Sequence, residues 1–168
     1  MSIAGWYKRK KHSRGFGIHS PSAYRMVREV LCPSHHYGYY AYALLRQLGR
    51  KRRSFAELCL IYRLLVDIQP ARVGIAAASD IMATAKLALP GKDISGEVAG
   101  ADFAIFDSAD ADTMGAKACR MVLLCGPATA KISAIEAEMQ SGHIFSGPRH
   151  VLIDCRRPLP LEKFIIDY

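Results

Sequence analysis

The sequence predicts an α/β fold: a mostly parallel sheet with a C-terminal antiparallel hairpin, preceded by N-terminal helices. Three observations carry this expectation. From residue 72 onward, short apolar runs (RVGIAAA, DFAIFD, RMVLLC, HVLIDC, KFIID) alternate with segments of helical character. Those runs are nearly continuous in apolar residues, as strands covered on both faces of a parallel sheet are. With 168 residues, 51% of them hydrophobic, the chain can bury one proper core and is too short for two. It is therefore read as one compact unit, with a basic N-terminal arm and helices over 1–53 and an α/β domain over 54–168.

In chain order, the first dozen residues, up to about His12, show no periodicity and read as a loose arm. Ser20 can cap a helix with Pro21 in its first turn, where a missing amide is tolerated. Tyr24, Val27, Val30 and Leu31 give that helix its apolar face, and CPSHHYG ends it. YYAYALLRQLG supplies a second helical run up to Gly49. Ser54 followed by Glu57 forms a capping box for a third helix from about Phe55 to Ile68, closed by Pro70. Its stripe is Leu58, Ile61, Tyr62, Leu65 and Val66. Strands follow near 72–78, 102–107, 120–125, 150–155 and 163–167, with helices at about 80–89, 109–118 and 128–141. RRPLPLE, between the last two strands, is too short for a crossover helix, so that pair is predicted to be antiparallel.

Charge is unevenly placed. Residues 1–53 hold 12 Lys and Arg against the single acid Glu29, whereas the remainder carries a net −3. The densest basic clusters are Lys8, Arg9, Lys10, Lys11 and Arg50, Lys51, Arg52, Arg53. Trp6, Tyr7, Tyr37, Tyr39, Tyr40 and Tyr42 lie near them. Cations with aromatic faces suit RNA or another polyanion, with phosphates neutralised and bases stacked; tyrosines on a core-facing helix and solvated lysines are the plainer alternative. The five cysteines show no C-x-x-C pair and most lie in apolar runs, as buried reduced thiols of a cytoplasmic protein do. No signal peptide or membrane span is expected, and residues 8 to 14 lack the amphipathic character of a membrane-surface helix.

Local wording then points to a family. HSRGFGIHSPSAYRMV resembles the H-G-x-H-S-P-F-x-x opening of a group of bacterial methyltransferase-like proteins. LIYRLLVDIQPARVGI resembles the helix and first strand before their cofactor loop, DFAIFD their fourth strand with its terminal aspartate, and VLIDCRRPLPLEKFII their closing hairpin. On these segments the chain resembles a shortened, divergent class I S-adenosylmethionine-dependent methyltransferase. The resemblance implies a Rossmann-like, methyltransferase-type sheet of reduced strand number.

The departures from the family weigh more than the matches. Its cofactor loop reads E-x-G-x-x-x-G; laid on ARVGIAAASDIMAT, the acid becomes Gly74, the first glycine Ala76 and the last Asp80. These three, with Asp107, are the vestigial cofactor positions. PGKDISGEVAGA stands where the fold places two further strands with their helices, which carry the ribose-binding acid; Glu97 is the one candidate for that role. Without those strands, the 72–78 strand becomes a sheet edge to be covered or paired, either by the basic N-terminal helices or by a second copy. Metal-dependent relatives hold their ion with aspartates after the fourth and fifth strands. Here Asp107 is kept, but the fifth strand ends in Cys125-Gly126-Pro127, and one aspartate is too few ligands for a hard cation.

Other candidates have plainer alternatives. Asp107, Asp110 and Asp112 could gather a cation, but read better as a strand end followed by a helix cap. Cys125 could be a nucleophile beside a histidine, but no local signature accompanies it and it reads as a small buried hydrophobe. The six histidines lack zinc spacing. No metal and no catalytic base is assigned. Three functional readings remain: a degenerate methyltransferase-like domain that binds no S-adenosylmethionine and acts by association; an active methyltransferase with cofactor contacts at Gly74, Ala76, Asp80 and Asp107; and a binding module for RNA or another polyanion.

Overall fold

A computed structural model of the chain describes residues 3–33, 41–49, 55–107, 119–137 and 139–167. Seven strands form one mixed sheet: β1 (Arg72–Ala76), β2 (Asp93–Ser95), β3 (Phe103–Phe106), β4 (Met121–Cys125), β5 (His143–Ser146), β6 (His150–Asp154) and β7 (Glu162–Ile165). Their order is β2-β1-β3-β4-β6-β5-β7. The first four in this order are parallel, β6 is antiparallel to both β4 and β5, and β7 is parallel to β5. The α/β class and the mixed, mostly parallel sheet are as the sequence predicts. Every residue of β3 and β4 is buried, which is why those segments read as unbroken apolar runs.

The helices are α1 (Ile3–Ser13), α2 (Pro21–Arg25), α3 (Tyr42–Leu48), α4 (Phe55–Ile68), α5 (Ser79–Ala88) and α6 (Ile132–Glu136). One sheet face, with Val73, Ile75, Phe103, Ile105 and Leu123, packs against Ile61, Leu64 and Leu65 of α4 and Ile81 and Ala85 of α5. The other, with Ala104, Phe106, Val122 and Leu124, is covered by Ala101 and by Ile135 of α6.

Ser20 caps α2, its hydroxyl accepting from Ala23 N at 3.4 Å, with Pro21 at the start. This helix widens into a π-helix over Met26–Leu31, where Cys32 N donates to Val27 O at 2.8 Å. Val27, Val30 and Leu31 are buried as expected, but Tyr24 is 47% exposed. Its ring lies over Gly15, so a Cβ there would meet Tyr24 Cε2 at 2.4 Å.

Several expectations are corrected. The N-terminal arm is the helix α1, held by contacts with the far end of the chain: Asp167 N donates to Ser13 Oγ at 2.8 Å, and the His12 and Phe164 rings meet edge-on at 6.1 Å. β1 is not a sheet edge. Within the segment that looked too short for further strands, Asp93–Ser95 pairs with it in parallel, Arg72 opposite Asp93 and Gly74 opposite Ser95. One short strand is thus present where two are expected missing. The predicted 128–141 helix is a 3₁₀ segment over Gly126–Lys131 and the short α6. The last two strands are not neighbours, because β5 intervenes; the antiparallel hairpin is β5 with β6, turning where Gly147 N donates to His150 O at 2.8 Å. HIFS is too short a run to show periodicity against its Gly-rich flanks. The predicted helix at 109–118 lies outside the described residues.

Candidate functional site

Strand order reverses between β1 and β3, and open α/β sheets take ligands beside such a reversal, at the carboxyl ends of the strands. Of the four positions expected from the resemblance to touch a cofactor, Ala76, Asp80 and Asp107 lie at this point and Gly74 lies two residues back in β1. Ala76 ends β1 opposite Phe106, and Asp107 follows directly after β3. The chain spans this crevice itself: Asp107 N donates to Ala76 O at 3.4 Å, and the Asp107 carboxylate accepts from Ala78 N at 3.0 Å. Asp80 sits in the first turn of α5, accepting from Ile81 N at 2.9 Å, where a carboxylate complements the helix dipole. Gly74 lies in mid-strand under the loop after β2. A Cβ there would stand 2.6 Å from Val98 Cα and 2.7 Å from Glu97 O. An acidic side chain, expected at this position from the resemblance, cannot be accommodated without moving that backbone. Glu97 follows β2, exposed.

Of the basic residues, Lys8, Arg9, Lys10 and Lys11 fall in α1, while Arg50, Lys51, Arg52 and Arg53 lie outside the described residues. A cleft of about 420 Å³ is lined by Tyr7, Lys10, Lys11, Arg14 and Phe16. Tyr7 is 67% exposed and Phe16 61%, so two aromatic faces stand among cationic side chains. Asp110, Asp112, His35 and His36 also lie outside the described residues.

A constellation that sequence reasoning missed lies at the junction of β4, β6 and α4. Cys125 and His150 are directly opposite in the β4–β6 ladder, and Glu57 reaches them from the first turn of α4. His150 Nε2 is 3.1 Å from Glu57 Oε1, and the ligating atoms of all three residues lie within 4.8 Å of one another. The cluster is interior: side-chain exposure is 7% for His150 and 13% for Glu57, and Cys125 is wholly buried. A cleft of about 470 Å³ adjoins it, lined by Glu57 and His150 together with Leu31, Tyr42, Phe55 and Leu60 among others. The signal in the sequence was absent at short range, since His150 lies 93 residues from Glu57 and each member had a local explanation. Glu57 read as a capping residue, Cys125 as the end of an apolar strand.

The pKa values of the other four thiols are raised. Burial pushes Cys32 up to about 11 from 9.0, against a hydrogen bond with Ser13 that lowers it. Burial, first among the causes, also raises Cys59, Cys119 and Cys155.

Among the described residues no helix is long and apolar enough to cross a membrane. Comparison of the chain with protein-family models, with curated proteins and with solved structures finds no match.

Proposed function

We propose that this chain is a methyltransferase-like α/β domain whose cofactor site is closed, and that it acts through association with a partner rather than by methyl transfer. The observation that supports this reading is the packing at Gly74. The backbone of Glu97 and Val98 lies where a Cβ would project, so the position of the family's acid is filled by the chain itself. The Asp107–Ala78 bond across the strand reversal adds to it. A second copy is one such partner, and β2 offers it an outer edge among the described strands, whereas Ile165 N of β7 donates to His12 Nδ1 of α1. The test is calorimetry and a thermal melt with S-adenosylmethionine and S-adenosylhomocysteine. No heat and no shift at millimolar ligand are expected. Ligand at about 100 times its dissociation constant stabilises a fold by roughly 2.7 kcal/mol, so a shift of that size reinstates the active enzyme.

The cleft on α1 favours a second reading, that the partner is RNA or another polyanion. Tyr7 and Phe16 offer stacking faces between Lys10, Lys11 and Arg14. Anisotropy with a single-stranded RNA should show affinity falling steeply with salt. Replacing Lys10, Lys11 and Arg14 by Ala should flatten the log–log slope by about 0.7 for each phosphate contact removed. A salt-insensitive affinity rejects this reading.

A further inference from the structure

We propose that Glu57, Cys125 and His150 form a binding site for a divalent cation of the zinc class, open on one side to the adjoining cleft. The three donors come from separate elements that the fold brings together: α4, the end of β4 and the start of β6. Directly opposed residues of an antiparallel ladder project to the same face, so Cys125 and His150 both point towards the α4 side. Cys125 belongs to the core cluster shared with α4, which confirms the face.

The donor set is specific. Thiolate, imidazole and carboxylate are the ligands of zinc, and three protein ligands with a fourth position left for water or substrate is the arrangement of catalytic rather than structural zinc. Around a tetrahedral ion at ordinary bond lengths, such donor atoms stand about 3.3–3.6 Å apart. The observed atoms, all within 4.8 Å of one another with one pair at 3.1 Å, need only small side-chain movements to reach that spacing. Electrostatics point the same way. A dication would balance the charges of a carboxylate and of a thiolate that sheds its proton on binding, which suits an ion to a nearly dry interior. Glu57 and His150 also line the cleft, so the unfilled coordination position lies on that side. Its mostly apolar walls suit a ligand with an apolar body and one electron-pair donor. This site is distinct from the strand reversal between β1 and β3 and does not depend on the fate of the cofactor crevice.

The experiment uses the full chain, freed of metal by chelator dialysis and titrated with Co²⁺ and then Zn²⁺. Equimolar cobalt uptake is expected, with the visible d–d bands of a tetrahedral ion and a thiolate-to-metal charge-transfer band in the near ultraviolet, both displaced by zinc. Because ligands must shed protons to bind, affinity should fall as pH is lowered. Cys125→Ser, close to isosteric, should abolish the charge-transfer band, and Glu57→Gln should weaken cobalt binding about tenfold or more. Cys59→Ser, a buried thiol bordering the same cleft, should leave the spectrum unchanged. Failure of the wild-type chain to take up cobalt overturns the site whatever the variants do. A charge-transfer band that survives Cys125→Ser, or is lost in Cys59→Ser, overturns it equally.

Discussion

Gly74 shows how a residue can look like a lost cofactor ligand and be held in place by packing. In a strand, glycine weakens the backbone and contributes no side chain, so it persists where another backbone approaches closely. Here the approach is by Glu97 and Val98. Gly74→Ala forces a methyl group into that contact and should destabilise the fold by about 1–3 kcal/mol, the usual cost of overpacking. Gly96→Ala is the matched control, since a Cβ there meets nothing within 4 Å; it should stay within about 0.5 kcal/mol of wild type. Urea unfolding of the two variants checks both, and equal midpoints would mean that the loop yields freely. That Gly74 interrupts an apolar strand is legible in the sequence. The reason for Gly74 is not, because it depends on a loop more than twenty positions away. The same limit hid the Glu57–Cys125–His150 cluster, whose members become neighbours only through strand pairing and helix docking.

Elements were legible where their signals are local. The Ser20 cap with Pro21, the α4 span ending before Pro70, and the apolar strands β3 and β4 all follow from nearest-neighbour chemistry. α1 and β5 were missed for opposite reasons. β5 is four residues long, too brief for a period to emerge. α1 has few apolar residues to repeat and is stabilised at its C-terminal end by β7 and the residues after it, through His12 with Ile165 and Ser13 with Asp167. An isolated helix of this length is marginal in water, so a peptide of residues 1–17 should give a coil spectrum by circular dichroism. Within the full chain, Ser13→Ala removes the acceptor for Asp167 N and should cost about 1 kcal/mol, with faster amide exchange at Asp167. A helical peptide, or unchanged exchange in the variant, would show that α1 is held by its own sequence.

At the scale of the whole molecule, the charge division and the thiol burial act on stability and binding in separable ways. The excess of cations in residues 1–53 bears on partners and on salt. The thiols bear on pH. Cys32 is raised to about 11 from 9.0, chiefly by burial, and Cys59, Cys119 and Cys155 are raised in the same direction. A thiol whose folded value exceeds its unfolded value holds its proton more tightly in the native state. Its contribution is therefore fully present below about pH 9 and is lost as pH rises through the folded value. The melting temperature should accordingly decline between about pH 9 and pH 11 through Cys32, with the other raised thiols acting in the same direction. Cys32→Ser replaces the titrating group with one that stays neutral, so it should make this alkaline decline shallower while leaving the neutral region nearly flat. A decline as steep in Cys32→Ser as in the wild type would assign the alkaline limb to groups other than this thiol, with Cys59, Cys119 and Cys155 to be tested next.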